Sequence, residues 1–230
     1  MLSSYKAIFF DAGGTLFHPF PSVGRIYRET ASRYGCQTAA EELEKKFVAG
    51  WLRRDGLSSL AGHSSEKIEK EWWRGLVREI FSGPASVREF ETFFEELYET
   101  FGHPNAWRLY PGVIEVLEEL KKRGKRLAVI SNWDSRLFKL CEGLGVLPYF
   151  DFILASAVFG ASKPGRKIFE EALSRTGVSA KDAVHIGDSY EDDVRGALGA
   201  GIEAILVNRH PEADRPPHPK TIRDLRELIS

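Results

Sequence analysis

An apolar run that ends on a carboxylate and a double glycine, Ile8-Phe9-Phe10-Asp11-Ala12-Gly13-Gly14-Thr15-Leu16, limits the fold of this chain more than any other stretch. Ile8, Phe9 and Phe10 are bulky and apolar at consecutive positions, which suits a parallel strand buried on both faces. Asp11 follows at the C-terminal end of that strand. Open α/β sheets bind their ligands there, so Asp11 either closes a turn or carries function. Gly13-Gly14 lets the backbone fold tightly and brings bare N–H groups towards whatever Asp11 faces.

From Pro111-Gly112 onward, helical and strand patterns alternate. Helices are predicted at Val113–Arg123, Ser135–Leu144, Lys167–Arg175, Glu191–Ala200 and Ile222–Ile229. Strands are predicted at Leu127–Ile130, Asp151–Leu154, Ala183–Ile186 and Ile202–Val207. Such alternation implies an α/β fold with a mostly parallel, Rossmann-like sheet covered on both faces.

Between Val23 and Phe101 the pattern is helical throughout. Val23-Ile26-Tyr27-Thr30-Tyr34, Leu43-Phe47-Trp51, Ile68-Trp72-Leu76-Ile80 and Phe90-Phe93-Phe94-Leu97-Phe101 each recur near a 3.6-residue period. Gly35-Cys36, the stretch from Asp55-Gly56 to Ser65, and Ser82-Gly83-Pro84 separate them. Four amphipathic helices with no strand among them read as a small bundle. This divides the chain into a core of residues 1–17 and 107–230 and an inserted helical cap of residues 18–106. An insert leaving a strand's C-terminal end hangs over the ligand edge as a lid, hinged near Phe17–Pro21 and Gly102–Pro104.

Composition narrows the partners. A hydrophobic share of 43% and a charged share of 28% over 230 residues describe a globular chain. A net charge of −1 gives no footprint for nucleic acid or an anionic membrane, so a small molecule is the expected partner. Lys121-Lys122-Arg123 stands beside Glu118-Glu119, as on a solvated helix face. Cys36 and Cys141 have no metal-binding spacing and fit a reducing cytoplasm. No signal-peptide pattern or membrane-length apolar run is present. His210–Pro219 reads as a Pro-rich surface connection, and a monomer or homodimer is expected.

Three further strand ends carry reactive side chains. Ser131-Asn132-Trp133-Asp134 puts a hydroxyl and an amide ahead of a helix, although for this segment alone Ser131 or Asp134 as a simple N-cap is the commoner arrangement. Ala161-Ser162-Lys163-Pro164 offers a fixed cation, or a solvated lysine. Gly187-Asp188-Ser189-Tyr190-Glu191-Asp192-Asp193 gathers more carboxylates than helix caps need, and a hard divalent cation would account for them. Sheet topology brings all four segments to one edge. A carboxylate, a hydroxyl, a lysine and an acidic cluster together equip a site for phosphoryl transfer. Mg²⁺ and a lysine would neutralise the phosphoryl oxygens while Asp11 attacks phosphorus, and water would hydrolyse the aspartyl-phosphate.

The order DxxGT, SN, KP, GDSxxxD resembles that of the haloacid dehalogenase superfamily of hydrolases over essentially the whole chain, and the insert resembles that family's first type of cap. The resemblance implies roles for single residues. Asp11 is the nucleophile and a magnesium ligand, the Gly13 carbonyl a second ligand and Asp188 a third, with Asp192 or Asp193 holding metal-bound water. Ser131 and Lys163 are the catalytic, phosphate-binding pair, supported by Thr15, Asn132 and the Gly14 backbone. The implied activity is a Mg²⁺-dependent phosphatase acting on a small phosphorylated metabolite.

One position departs from the family pattern. Its phosphatases usually carry a second Asp two residues after the nucleophile, as acid to the leaving group and base to water. Here that residue is Gly13, and losing such a group costs roughly 10²–10⁴ in rate. Trp72-Trp73 and Ser131-Asn132-Trp133-Asp134 are similar to a branch that also lacks this Asp. Family dehalogenases lack it too, but without a GD metal motif. Phosphonate-cleaving members use a cap lysine, for which Lys45 and Lys46 are candidates. A phosphate-binding protein without turnover is a third alternative.

Acyl and activated aryl phosphates should therefore be favoured over alkyl phosphates, and Gly13→Asp should raise alkyl turnover if its side chain fits. His18 is a candidate replacement acid/base. Arg53, Arg54 and His63 are candidates to bind a distal substrate group. Of Trp72 and Trp73, one should be core and the other should cover the junction or line the lid.

Overall fold

The computed structural model describes residues 2–57, 60, 65–209 and 217–230. In chain order it begins with β1 (Ala7–Phe10), β2 (Phe17–Pro19) and four helices, α1 (Val23–Arg33), α2 (Ala40–Arg53), α3 (Glu66–Ile80) and α4 (Phe90–Gly102). Then come β3 (Trp107–Leu109), α5 (Val113–Lys122), β4 (Arg126–Ser131), α6 (Arg136–Gly143), β5 (Phe152–Ala155), α7 (Ser156–Phe159) and α8 (Arg166–Thr176). The chain finishes with β6 (Ala183–Gly187), α9 (Gly196–Gly199), β7 (Glu203–Val207) and β8 (Thr221–Ile222).

Six strands form one parallel sheet in the order β5-β4-β1-β6-β7-β8. β1 lies between β4 and β6, where the order reverses direction. That switch point is where a doubly wound sheet opens a crevice, and Asp11 stands at its mouth. Every residue of β1 is buried, as its unbroken apolar run requires. Ile8 and Phe10 enter one apolar cluster with Val129, Ile153 and the α5 residues Val116 and Leu117. Ala7 and Phe9 point the other way, into a cluster with Ile130, Ile168 and Phe169. Alternate residues of one strand thus hold both helical layers.

The four long helices after β2 pack around a core of their own, with Tyr27, Leu43, Leu76, Phe93 and Phe94 inside. Ser22 accepts from the Arg25 N–H and Ser65 from the Ile68 N–H, so each hydroxyl caps a helix start, at α1 and α3.

Three sequence expectations change. On either side of the helical stretch, where no strand is expected, β2 pairs antiparallel with β3 as His18↔Arg108 and Pro19↔Trp107. Three-residue strands are too short to show a two-residue period. Instead of a terminal helix over Ile222–Ile229, the chain adds β8 and a single 3₁₀ turn, Leu225–Leu228. Asp224 and Glu227 form a capping box there, which starts the turn at Leu225 rather than at Ile222. The helix expected over Glu191–Ala200 is a π-helical turn, Tyr190–Arg195, followed by the short α9. Such turns are frequent at functional sites.

Of the connection expected at His210–Pro219, residues 210–216 lie outside the described residues. Cys36 and Cys141 are both buried and unpaired. Among the described residues, no helix is long and apolar enough to cross a membrane.

Candidate active site

Asp11 leaves β1 almost fully buried, with its backbone N–H held by the Ile186 carbonyl of β6. Its Oδ1 accepts from the Ser131 hydroxyl at 2.9 Å and from Lys163 Nζ at 2.7 Å. Two donors on one oxygen fix the plane of the carboxylate. Burial pushes the Asp11 carboxyl above its ordinary range, and the Lys163 charge opposes that shift.

Lys163 is buried, and its ammonium lies between Asp11 and Asp193, which accepts at 2.5 Å. Burial alone would lower its pKa, but the two carboxylates raise it, so the side chain remains charged. Asn132 fixes this lysine from the backbone. Its Nδ2 donates to the Lys163 carbonyl and its Oδ1 accepts from the Lys163 N–H, each at 2.9 Å. Both ends of the amide are thus committed to holding the Lys163 peptide.

Asp193 is the buried hub of the acidic segment. Its Oδ1 also meets His185 Nε2 at 2.8 Å, and its Oδ2 accepts from the Ser189 N–H at 2.9 Å. Burial would raise its pKa, but Lys163 and His185 outweigh burial and keep it ionised. Asp192 is half-buried, and burial pushes its carboxyl up to about 6. One oxygen from each of Asp11, Asp188 and Asp193 lies within 4.8 Å of the others. Three converging carboxylates fit a hard, oxygen-seeking cation such as Mg²⁺. Asp192 is outside that group.

The glycine turn is shaped by its neighbours. Gly14 has φ +81°, and a Cβ on it would meet the Asp188 carboxylate at 2.5 Å, so only glycine lets that carboxylate approach. Thr15 is fully buried, with its hydroxyl 3.5 Å from Asp188 Oδ1, and it does not line the cavity. A Cβ on Gly13 would meet the Trp133 ring at 2.6 Å. The indole therefore fills the space next to position 13.

Arg209, which sequence reasoning passed over, braces the same turn. Its guanidinium donates to the Gly14 carbonyl at 2.5 Å and to the Thr15 carbonyl at 2.9 Å while lying 3.6 Å over Tyr110. It follows β7 by two residues, so the strand-end rule that marks Asp11 would have marked it too.

The sequence matches the family model for haloacid dehalogenase-like hydrolase over residues 5–201. It is 32% identical over 204 residues to the human haloacid dehalogenase-like hydrolase domain-containing protein 3, covering 88% of this chain and 81% of that protein. The chain belongs to the haloacid dehalogenase-like hydrolases. A phosphoserine phosphatase of Thermus thermophilus is 33% identical over 180 residues, covering 76% of this chain and 68% of that protein. The crystal structure of a HAD phosphatase from Thermococcus onnurineus superposes with a TM-score of 0.69 at 27% identity, covering 97% of this chain and 95% of that one.

In this hydrolase the four helices close over the strand ends, leaving a cavity of about 480 Å³. Its floor is Asp11, Gly13, Gly14, Ser131, Asn132, Lys163, Asp188, Asp192 and Asp193. Trp73 of α3 lines it and donates to Asp134 at 2.6 Å, while Trp72 packs against Trp51 and Trp73. One tryptophan of the pair thus bridges cap and core, as expected.

The remaining cap candidates lie elsewhere. His18 is stacked on Tyr110, its Nδ1 is 2.9 Å from the Pro19 carbonyl, and it does not line the cavity. Arg53 and Arg54 both pair with Glu79 within the cap. Lys45 is exposed, and Lys46 donates to the Ile80 carbonyl. His63 lies outside the described residues.

Proposed function

We propose that this hydrolase is a Mg²⁺-dependent phosphatase that cleaves a small phosphate monoester through an aspartyl-phosphate on Asp11. The convergence of Asp11, Ser131 and Lys163 at the sheet's switch point carries this reading. A phosphoryl group beside Asp11 finds a hydroxyl donor and a buried cation in place before it arrives, so little reorganisation remains for the reaction. Asp11 attacks phosphorus, the P–O bond to the organic group breaks, and that group leaves with the electron pair. Water then attacks the same phosphorus, releasing inorganic phosphate and restoring the carboxylate. Asp11, Asp188 and Asp193 would hold the Mg²⁺, which supplies positive charge against the phosphoryl oxygens. The phosphatase names among the relatives agree with this chemistry.

Two observations weigh against the other hydrolases of this fold. A carbon–phosphorus hydrolase needs a lysine over the substrate, but among the described cavity-lining residues Lys163 of the core is the only lysine. A metal-free dehalogenase has no need for three carboxylates within 4.8 Å.

A panel of phosphorylated metabolites with Mg²⁺ or with EDTA tests the proposal. Phosphate release that needs Mg²⁺ and disappears in Asp11→Asn is expected. Chloride release from haloacids in EDTA would replace this reading with the dehalogenase. Phosphate ligands that bind without turnover would replace it with a binding protein.

A further inference from the structure

The cavity is far larger than a phosphoryl group requires. At roughly 30 Å³ per water, its volume of about 480 Å³ corresponds to about sixteen waters. Once a phosphoryl group is seated at the floor, room remains for an organic part of on the order of ten heavy atoms.

The cap side of that space is walled by rings. Tyr27, Phe47, Trp51, Trp73 and Tyr98 face it from the helices, and Trp133 from the core. All the carboxylates among the described lining residues belong to the floor, together with Lys163. The other cation in the lining is Arg136, and it is already engaged. Its guanidinium donates to Asp134 at 2.6, 3.0 and 3.2 Å and lies 4.2 Å over the Tyr98 ring. A substrate with a distal carboxylate or ammonium would bury that charge against rings with no counter-ion, a cost of several kcal/mol.

The Tyr98 hydroxyl is buried behind its ring, so the ring rather than a polar group is what Tyr98 offers the cavity.

Accepting the phosphatase reading, we infer that the substrate is an aryl phosphate monoester whose organic part is uncharged and flat. Aromatic rings pack against aromatic walls edge-to-face or offset, and those walls would not reward a polyol or an amino acid in the same way. Position 13 supports the same class. With glycine there and indole beside it, no acid stands at that position, and an aryloxide departs without a proton more readily than an alkoxide. The step balances as written above: Asp11 oxygen bonds phosphorus, the aryl P–O bond breaks with its electrons on the aryl oxygen, and water completes hydrolysis.

The test compares kcat/KM of the full chain with Mg²⁺ for 2-naphthyl phosphate, 6-hydroxy-2-naphthyl phosphate, O-phosphoserine and glycerol phosphate. The naphthyl esters should exceed the two charged or polyol esters by about 10²-fold or more. Trp fluorescence quenching by naphthylmethylphosphonate, which cannot be hydrolysed at oxygen, reads binding without turnover, and phosphoserine should not displace it. Efficient cleavage of phosphoserine or glycerol phosphate without preference for naphthyl esters would overturn this inference while leaving the phosphatase reading intact. Failure to hydrolyse any phosphate ester would overturn both.

Discussion

Trp133 occupies the space that a side chain at position 13 would need, since a Cβ there would lie 2.6 Å from its ring carbon Cζ3. The indole packs against Phe17 at 5.6 Å and Trp107 at 5.1 Å between ring centroids, so moving it aside means giving up both contacts and entering the cavity. Gly13 and Trp133 are therefore packed as a pair, and the condition set on Gly13→Asp, that its side chain fit, is not met unless the indole moves. That variant should instead lose about 1–3 kcal/mol of stability through overpacking, with no gain in rate. Gly13→Asp with Trp133→Ala makes room for the carboxylate and should raise alkyl phosphate turnover above that of Trp133→Ala alone. Denaturant unfolding and steady-state kinetics on the three variants check both statements.

Asn132 should act on rate through Lys163. Asn132→Ala frees the Lys163 peptide from its two 2.9 Å hydrogen bonds, and a displacement near 1 Å at a reacting group costs about 10²-fold. kcat should fall far more than KM rises, and Asn132→Asp, which keeps one acceptor for the Lys163 N–H, should fall less. Single-turnover kinetics separate these effects.

Asp193 and Asp192 should behave very differently. Removing the Asp193 carboxylate leaves the buried Lys163 ammonium with Asp11 as its remaining carboxylate and takes the partner from His185 Nε2 and the Ser189 N–H, so Asp193→Ala should destabilise the fold by about 3 kcal/mol and abolish activity. Asp192→Ala touches a half-buried group outside the carboxylate cluster and should leave stability within about 0.5 kcal/mol. Thermal melts with and without Mg²⁺ measure the contrast.

The cap is held down by buried polar contacts. Trp73 donates to Asp134, and Glu69, fully buried on α3, accepts from the N–H and hydroxyl of Ser135 at the start of α6. Trp73→Phe with Glu69→Ala should loosen this latch and let the helices swing on the β2–β3 ribbon. Solution scattering should show a larger radius of gyration than for the wild type. Identical profiles for the two proteins would show that the apolar contacts alone keep the cap closed.

The parts of this site that were legible in the sequence are those set by local chain geometry. Asp11, Ser131 and Asp188 stand at or just past strand ends, and Lys163 lies in the loop after β5 and the short α7; a parallel sheet places such ends on one edge whatever the packing above them. The helices were legible because long amphipathic segments repeat their period several times. What escaped depends on contacts between distant segments. Nothing near Trp133 in sequence says that its ring fills the place beside Gly13, and nothing near Asp134 names Trp73 as its donor, 61 residues away. Nor does spacing along the chain say that Thr15 lies against Asp188 or that Asn132 holds the Lys163 peptide.

The most direct test of the account is chemical trapping of the phosphoenzyme. Without an acid/base at position 13 the attacking water lacks its usual base, so the aspartyl-phosphate should accumulate during turnover of 2-naphthyl phosphate with Mg²⁺. Acid quenching followed by borohydride reduction converts an acyl phosphate to the alcohol, and mass spectrometry of the peptide spanning Ala7–Phe17 locates it. Reduction at residue 11, absent without substrate and absent in Asp11→Asn, is the predicted result. Phosphate release at an undiminished rate from Asp11→Asn, or a phosphoryl group trapped on any other residue, would contradict the account.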